Sequence, residues 1–326
     1  MNHTTAAVLD LLRRAAGRLS GESIGRNLDI SRSAVSKHIA ALRRHGYAIE
    51  SAPRRGHILR ACADIPGPEE VSPLLNTRAI GRVIRFFDTV DSTNTVAARE
   101  ATVAAAEGTV IVADAQTAGR GRQQRTWTSP AGCSLYFSII LRPRVPPRRV
   151  PQISLVAAVA VHQALLNVHP GLNIGIKWPN DILTDDGLKL CGILCESELE
   201  TDAVHHAIVG IGLNVNTRAF PASLRGIATS LRIQAGNDSS RPVVLAAILN
   251  RFEEVYTVWQ KSSDLTPLLP YLNRFSALKK RLIEVRGVSS STRGRVAGLT
   301  PDGELLVRTG RNTVRTVAFG DVHVVE

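Results

Sequence analysis

A single run, Gln116-Thr-Ala-Gly-Arg-Gly-Arg-Gln-Gln-Arg-Thr-Trp127, carries the densest chemistry in this 326-residue chain. Gly119 and Gly121 let the backbone approach a ligand closely. Arg120, Arg122 and Arg125 converge positive charge suited to carboxylate and phosphate oxygens. Trp127 adds an apolar wall with one N–H donor. Arg-Gly repeats also mark disordered RNA-binding tails, but this run lies inside a folded domain and ends in a Trp that starts a strand, which favours an anion-binding loop. Three more runs follow: Lys177-Trp-Pro-Asn-Asp181, Lys189-Leu-Cys-Gly-Ile-Leu194 and Gly210-Ile-Gly-Leu-Asn-Val-Asn216. Arginine outnumbers lysine 34 to 6, yet two of those six lysines fall in these runs. A lysine at a strand end, facing an anion, is an electrostatic catalyst suited to adenylyl chemistry. Asp181 is placed to hold a magnesium ion carried by ATP phosphates, although Asn180-Asp181 would also make a turn on composition alone. None of the runs matches a Walker A loop, which argues against a P-loop NTPase.

Those runs need a scaffold, and from about residue 74 to 275 strand-like and helix-like segments alternate. Strands are expected at 83–87, 109–113, 134–141, 173–177, 189–196 and 207–215. Helices are expected at 93–106, 150–167 and 243–261, with a shorter one near 265–275. The pattern is that of an α/β domain with a large mixed sheet. After about Ala277 the texture becomes short strands split by Gly-rich and Asp-Gly turns, the mark of a small all-β barrel. The segment 142–149, Arg-Pro-Arg-Val-Pro-Pro-Arg-Arg, reads as a stiff basic surface connector.

The first 60 residues differ again. They hold eleven Lys/Arg against four Asp/Glu, so more than half of the chain's net charge of +12 sits there. Val8, Leu9, Leu11 and Leu12 give a helical stripe closed by Gly17, and a second helix runs from about Glu22 to Leu28. Asp29-Ile30 makes a turn and Ser31 looks like an N-cap. Val35, Ile39 and Leu42 then face inward, while Arg32, Ser33, Ser36, Lys37 and Arg43 face outward. Residues 49–59 alternate around Pro53-Arg54-Arg55-Gly56, a two-stranded wing with a basic tip. This is a winged helix-turn-helix. Its polar, cationic helix face can enter a major groove, and the wing's Arg54 and Arg55 would neutralise phosphates. A solvated surface on a packing or dimerisation module is the competing reading. Residues 61–72, rich in Pro, Gly and acids, read as a linker.

A hydrophobic content of 44% excludes wholesale disorder, and no run approaches the roughly 18 uninterrupted apolar residues of a membrane span, so no integral membrane protein is expected. The N-terminus carries an acid and an arginine pair where a signal peptide needs an apolar stretch. Four cysteines without CxxC spacing point to a reducing compartment, so a cytoplasmic location is expected.

Asp91-Ser-Thr-Asn94, the Gln116–Trp127 loop, Lys177-Trp-Pro-Asn-Asp181, Lys189-Leu-Cys-Gly192 and Gly212-Leu-Asn-Val-Asn216 occur in that order, and the set closely resembles the biotin–protein ligase family. With the winged helix, the whole chain resembles the bifunctional biotin operon repressor/biotin ligase type. The resemblance implies an α+β multidomain fold: a winged helix-turn-helix over 1–64, a class II synthetase-like mixed-sheet ligase domain over 65–276 and an SH3-like β-barrel over 277–326. It implies that biotin and MgATP give biotinoyl-5′-AMP, whose acyl group passes to a lysine of a biotin carboxyl carrier protein. It further implies operator DNA as a partner, a homodimer when biotinoyl-AMP is bound and no membrane partner. Ser92, Thr93 and Gln116 match the positions that hold the ureido ring, and Asn94 and Gly121 are also expected among the biotin-binding residues. Arg120 and Arg122 match the arginines that close over the ligand and hold the adenylate phosphate. Lys189 matches the lysine at the biotin carboxyl and, with Arg122, is assigned the catalytic role. Asn180 and Asp181 match positions near the adenylate and the Mg2+, and Trp127 the tryptophan that orders the loop. Arg125, Lys177 and Asn214 complete the adenylate group.

The chemistry agrees with these assignments. Adenylation brings a carboxylate against an α-phosphate, and Arg120, Arg122 and Lys189 would offset that repulsion. The neutral ureido ring needs directional hydrogen bonds rather than charge. No protein nucleophile is required, and an ordered loop would shield the adenylate from water. The chain departs from the family at Gln123-Gln124, which replace an x-Gly pair, and at Cys191, which stands where a small Ala is common. Cys191 should behave as a small hydrophobe, a redox role with Cys195 being the alternative. The competing functions are a ligase whose winged helix is not regulatory, a lipoate or octanoate ligase-like enzyme, and a pure transcription factor.

Overall fold

Helix α1 (His3–Arg14) starts where the Asn2 side chain accepts a hydrogen bond from the Thr5 amide, and it ends short of Gly17. Ser20 caps α2 (Gly21–Leu28), and Asp29 closes it in the left-handed conformation, φ 53°. Ser31 caps α3 (Arg32–Arg44) as expected, its hydroxyl accepting from the Ala34 amide at 3.1 Å. Val8, Leu9, Leu12, Ile24, Val35, Ile39 and Leu42 are buried together in one core. The wing is the antiparallel pair β1 (Ala48–Ala52) and β2 (Gly56–Ala61). Its tip end is stitched to the segment before α2 by paired backbone bonds between Leu19 and His57, at 2.7 and 2.8 Å. Gly56 is obligatory there: its φ is +87°, and a Cβ would lie 2.1 Å from the Leu19 carbonyl oxygen.

The computed structural model describes residues 1–199, 203–287 and 291–325, and the chain divides into units 1–65 and 66–326. The expected linker over 61–72 is therefore shorter than its composition suggests. Ala63 and Ile65 pack into the head core. Pro68–Val71 form the short helix α4, whose Val71 is fully buried in the core of the second unit.

The second unit is built on seven strands: β3 (Ile84–Val90), β4 (Val110–Gln116), β5 (Leu135–Leu141), β6 (Ile174–Lys177), β7 (Asp181–Thr184), β8 (Lys189–Leu199) and β9 (Val204–Leu213). Their order is β3-β4-β5-β9-β8-β7-β6, parallel only between β3 and β4, so the sheet is mixed as expected. Helix α5 (Thr93–Thr102) links β3 to β4, and α6 (Ile153–Val168) links β5 to β6. Helices α7 (Leu231–Ala235), α8 (Arg241–Ser262) and α9 (Leu269–Arg274) follow the sheet. β7 was not anticipated. Lys177 and Asp181 are paired across the β6–β7 hairpin, so Trp178-Pro179-Asn180 is its turn.

Strand alternation assigns the two faces of the sheet. Val110 and Val112, Phe137 and Ile139, Val209 and Ile211, with Cys191 and Ile193, belong to the main core together with α6 and α8. Ile111, Ile140 and Ile208 point the other way and pack on Ala97 and Ala101 of α5. The stretch 147–168 has the length and apolarity of a membrane span, but most of it is buried inside this core.

The C-terminal segment forms five antiparallel strands, β10 (Leu282–Arg286), β11 (Ser291–Leu299), β12 (Leu305–Arg308), β13 (Val314–Val317) and β14 (Asp321–Val324), ordered β13-β12-β11-β10-β14. Ile283, Val285, Leu305, Val307 and Val322 join the same core as the seven-stranded sheet. The all-β segment is thus fused to the larger sheet by shared apolar packing. Phe137 is fully buried on the central strand; Phe137→Ala should lower unfolding stability by about 3–5 kcal/mol, read as a shifted urea midpoint.

Candidate functional site

On the face of the sheet away from α6 and α8, alternation brings Gly192, Leu194 and Glu196 of β8 beside Gly212, Gly210 and Ile208 of β9, register partners in that order. Three glycines make this floor flat. A Cβ on Gly212 would lie 2.5 Å from the Trp127 indole and one on Gly192 2.9 Å from it, so the ring lies directly on bare backbone. Over this floor is a cavity of about 450 Å³, within the range of small-ligand sites. It is lined by residues from all four sequence runs and from the Asp91–Asn94 turn.

One end of the cavity is polar and uncharged. Ser92 is 4% exposed, and its hydroxyl makes no hydrogen bond among the described residues. The Thr93 hydroxyl donates to Gln116 Oε1 at 3.2 Å and lies 2.8 Å from Ser138 Oγ. Gln116 Oε1 also accepts from the Thr93 amide at 2.9 Å, while its Nε2 donates to Ser129 Oγ at 2.9 Å. Thr93 and Gln116 are therefore pre-oriented by one another before any ligand arrives.

The other groups are cationic. Lys189 Nζ lies 2.8 Å from Asp181 Oδ1 and 5.4 Å from the Trp127 ring centroid. The Asp181 contact is electrostatic: that buried oxygen receives no directed hydrogen bond among the described residues. Arg120 pairs with Glu196 at 3.2 Å, and Arg125 with Asp321 of β14. Arg122 has a neutral partner, Asn180 Oδ1 at 3.3 Å. Lys177 forms no ion pair among the described residues, and burial pulls its pKa below the ordinary lysine value, with Asp181 opposing the shift. The Trp127 indole N–H is buried and likewise has no partner.

The loop holding these arginines is folded back on itself. Gly121 N donates to Arg125 O at 2.7 Å and Trp127 N to Gly119 O at 2.9 Å. Gln123 and Gln124 both adopt positive φ, 53° and 59°. The glycine missing at 124 is thus felt as a left-handed non-glycine residue, which costs roughly 1–2 kcal/mol. Asn180 Nδ2 donates to Ile193 O at 2.7 Å and Asn214 Nδ2 to Thr229 O at 2.9 Å, so each amide is anchored at the cavity wall. Burial raises the thiol pKa of Cys191 and pushes that of Cys195 up to about 12, which leaves both without the thiolate that redox chemistry requires.

In the first unit, Arg32, Ser33, Ser36, Lys37, Arg54 and Arg55 are all exposed on α3 and the wing tip. Arg43 is used differently. Its guanidinium donates to Ile49 O at 2.8 and 2.9 Å and to Ser51 Oγ at 2.6 Å, bracing the wing against α3.

Comparison with known proteins agrees with both halves. Residues 86–214 match the biotin/lipoate A/B protein ligase family and residues 4–58 match an HTH domain. The chain is 37% identical to the bifunctional ligase/repressor BirA of Bacillus spizizenii, over 97% of each protein. The chain belongs to the bifunctional ligase/repressor BirA family. It is a biotin–protein ligase with a helix-turn-helix head. Identity to the Escherichia coli BirA is 30%, covering 79% of this chain and 77% of that one. Among solved structures, the biotin protein ligase from Aquifex aeolicus in complex with biotin and ATP is similar with a TM-score of 0.64 and 29% identity, over 74% of this chain and 98% of that one.

For a BirA-family chain, the sequence runs mark the cavity well, since every residue expected to touch biotin or the adenylate lines it. Asn94 is the exception in kind: its Oδ1 accepts from Ser138 and its Nδ2 donates to Glu196, so the amide is spent on the protein. Glu196, Asp321 and Ser138 were not anticipated. Counting by twos from Gly192 reaches Glu196, but no local signal connects Asp321, some 200 residues downstream, to the loop. Gly212→Ala should drive a methyl into the indole seat and weaken biotin binding at least about tenfold by calorimetry, because a well-packed site has no slack for one extra carbon. Lys37→Ala and Arg55→Ala should each lower the salt slope of DNA binding by about one, measured by titrations at several ionic strengths.

Proposed function

We propose that the chain joins biotin to ATP, releasing pyrophosphate, and passes the biotinoyl group to a lysine of a biotin carboxyl carrier protein, and that its head represses transcription in response to biotin. The observation that carries this reading is the cavity's division into a neutral hydrogen-bonding end and a cationic end. Ser92, Thr93 and Gln116 suit the uncharged ureido ring. Lys189, Arg122 and Lys177 suit the carboxylate and the nucleotide phosphates.

In the first step a biotin carboxylate oxygen attacks the α-phosphorus, and the bond to the bridging oxygen breaks as pyrophosphate leaves. Lys189 and Arg122 hold the two anions together and stabilise charge gathering on the phosphoryl oxygens. Lys177, which forms no ion pair among the described residues, would suit the departing pyrophosphate. Trp127 and the folded loop keep water from the mixed anhydride. In the second step the carrier lysine amine attacks the biotinoyl carbonyl and AMP leaves with the bonding electrons.

No dedicated cage of three or more metal-ligating side chains occurs among the described residues. A nucleotide-borne magnesium ion needs only one or two carboxylates, and Asp181, paired with Lys189 but with an Oδ1 that receives no directed hydrogen bond among the described residues, fits that need. Such an ion would neutralise phosphate charge.

For regulation, the exposed faces of α3 and the wing are suited to operator DNA, and a dimer formed on biotinoyl-AMP binding would read an inverted repeat. The four free cysteines suit the reducing cytoplasm.

Two measurements test this. Lys189→Gln should cut the rate of biotin-dependent pyrophosphate release by at least about a hundredfold, and the gel shift of the operator by the wild-type protein should strengthen when biotin and ATP are added. Release at the wild-type rate would remove Lys189 from the mechanism, and an operator shift insensitive to biotin and ATP would remove the regulatory half. Because burial lowers the Lys177 pKa, its charge is lost as pH rises through a value below the free-lysine value of about 10.4. ATP affinity should therefore weaken toward pH 10, and Lys177→Arg should flatten that decline.

A further inference from the structure

Glu196 sits on the cavity face of β8, two residues beyond Leu194 and four beyond Gly192. Its Oε2 accepts two hydrogen bonds, from Asn94 Nδ2 at 2.6 Å and from Arg120 at 3.2 Å. The same Arg120 nitrogen lies 3.4 Å from Thr95 Oγ1. The Asn94 side is tightly packed. Asn94 is 4% exposed, and its Oδ1 accepts from Ser138 Oγ at 2.6 Å. A Cβ on Gly210 would lie 2.1 Å from that Oδ1, so the amide is pressed flat on β9. A buried amide clamped by β5, β8 and β9 thus fixes one carboxylate, and that carboxylate holds the first arginine of the ligand loop.

We propose that Glu196 is a positioning residue for adenylate retention, fixing Arg120 and hence the ligand loop over the cavity while completing the hydrogen bonds of Asn94 beside Ser92 and Thr93. This rests on the ligase reading above. Glu196 touches no reacting atom in this role. Its effect is carried by two neighbours, and its two bonds can be separated by mutation. Glu196→Gln keeps an oxygen for Asn94 and removes the charge that holds Arg120. Glu196→Ala removes both. Because the Asn94 bond holds the carboxylate in place whichever way Arg120 turns, Glu196 supports the loop rather than competing with the ligand for it.

The test is the dissociation rate of biotinoyl-AMP formed on the full-length enzyme and chased with unlabelled biotin. Glu196→Gln should release it about two- to fivefold faster, the range for a half-exposed ion pair, with an unchanged melting temperature. Glu196→Ala should in addition raise the KM for biotin by about tenfold, since a buried amide is left with only the long 3.4 Å bond to the Leu194 carbonyl. Adding Glu196→Gln to Arg120→Gln should accelerate release no further. The proposal is overturned if Glu196→Gln releases the adenylate at the wild-type rate or more slowly, or if the two changes add. A wild-type chain that makes no biotinoyl-AMP would instead reject the ligase reading, and this proposal with it.

Discussion

Five cations, Lys177, Lys189, Arg120, Arg122 and Arg125, line a single cavity, and the site depends on how that charge is tolerated before a ligand arrives. Two like charges 4 Å apart repel by about 4 kcal/mol at an effective dielectric of 20. Three carboxylates offset the repulsion: Asp181 for Lys189, Glu196 for Arg120 and Asp321 for Arg125. They come from β7, β8 and β14, so both sheets of the second unit are needed to balance one lysine and two arginines of the loop. Arg122, with a neutral partner, and Lys177, with none among the described residues, leave positive charge over. A surplus of that size suits a carboxylate and a phosphate chain brought together.

The floor imposes a second constraint. Period-two alternation sends Gly192, Gly210 and Gly212 to the same face, and only bare backbone admits the Trp127 indole and the Asn94 amide at the distances found. Those two flat groups then carry the polar and cationic ends of the cavity. The loop between them takes two consecutive left-handed glutamines, a strain that its internal backbone bonds and three arginine anchors offset. The loop is therefore held by its own backbone bonds as well as by its arginine contacts.

Much of this was legible from residue types in short runs. Ser31, Ser33 and Lys37 announce a capped helix with a polar face, and the structure places all three where that pattern puts them. The Gly-Arg loop and the two lysine runs name the cavity, because chemistry that needs several cations must write them close together. What escaped was non-local. Asp321 reaches Arg125 only after the C-terminal strands share a core with the sheet. Arg43 looks identical to a DNA-reading arginine until the wing folds against it. The apparent linker hid Ala63 and Val71, small apolar residues whose burial depends on which unit covers them.

The central claim is that a neutral hydrogen-bonding end selects the ureido ring of biotin and a cationic end activates its carboxylate. Mass spectrometry of a biotin carboxyl carrier domain incubated with the chain, ATP, magnesium and equal concentrations of biotin and lipoate tests it most directly. The carrier should gain the mass of one biotinoyl group on its lysine. A carrier labelled by lipoate instead, or left unmodified, would contradict it.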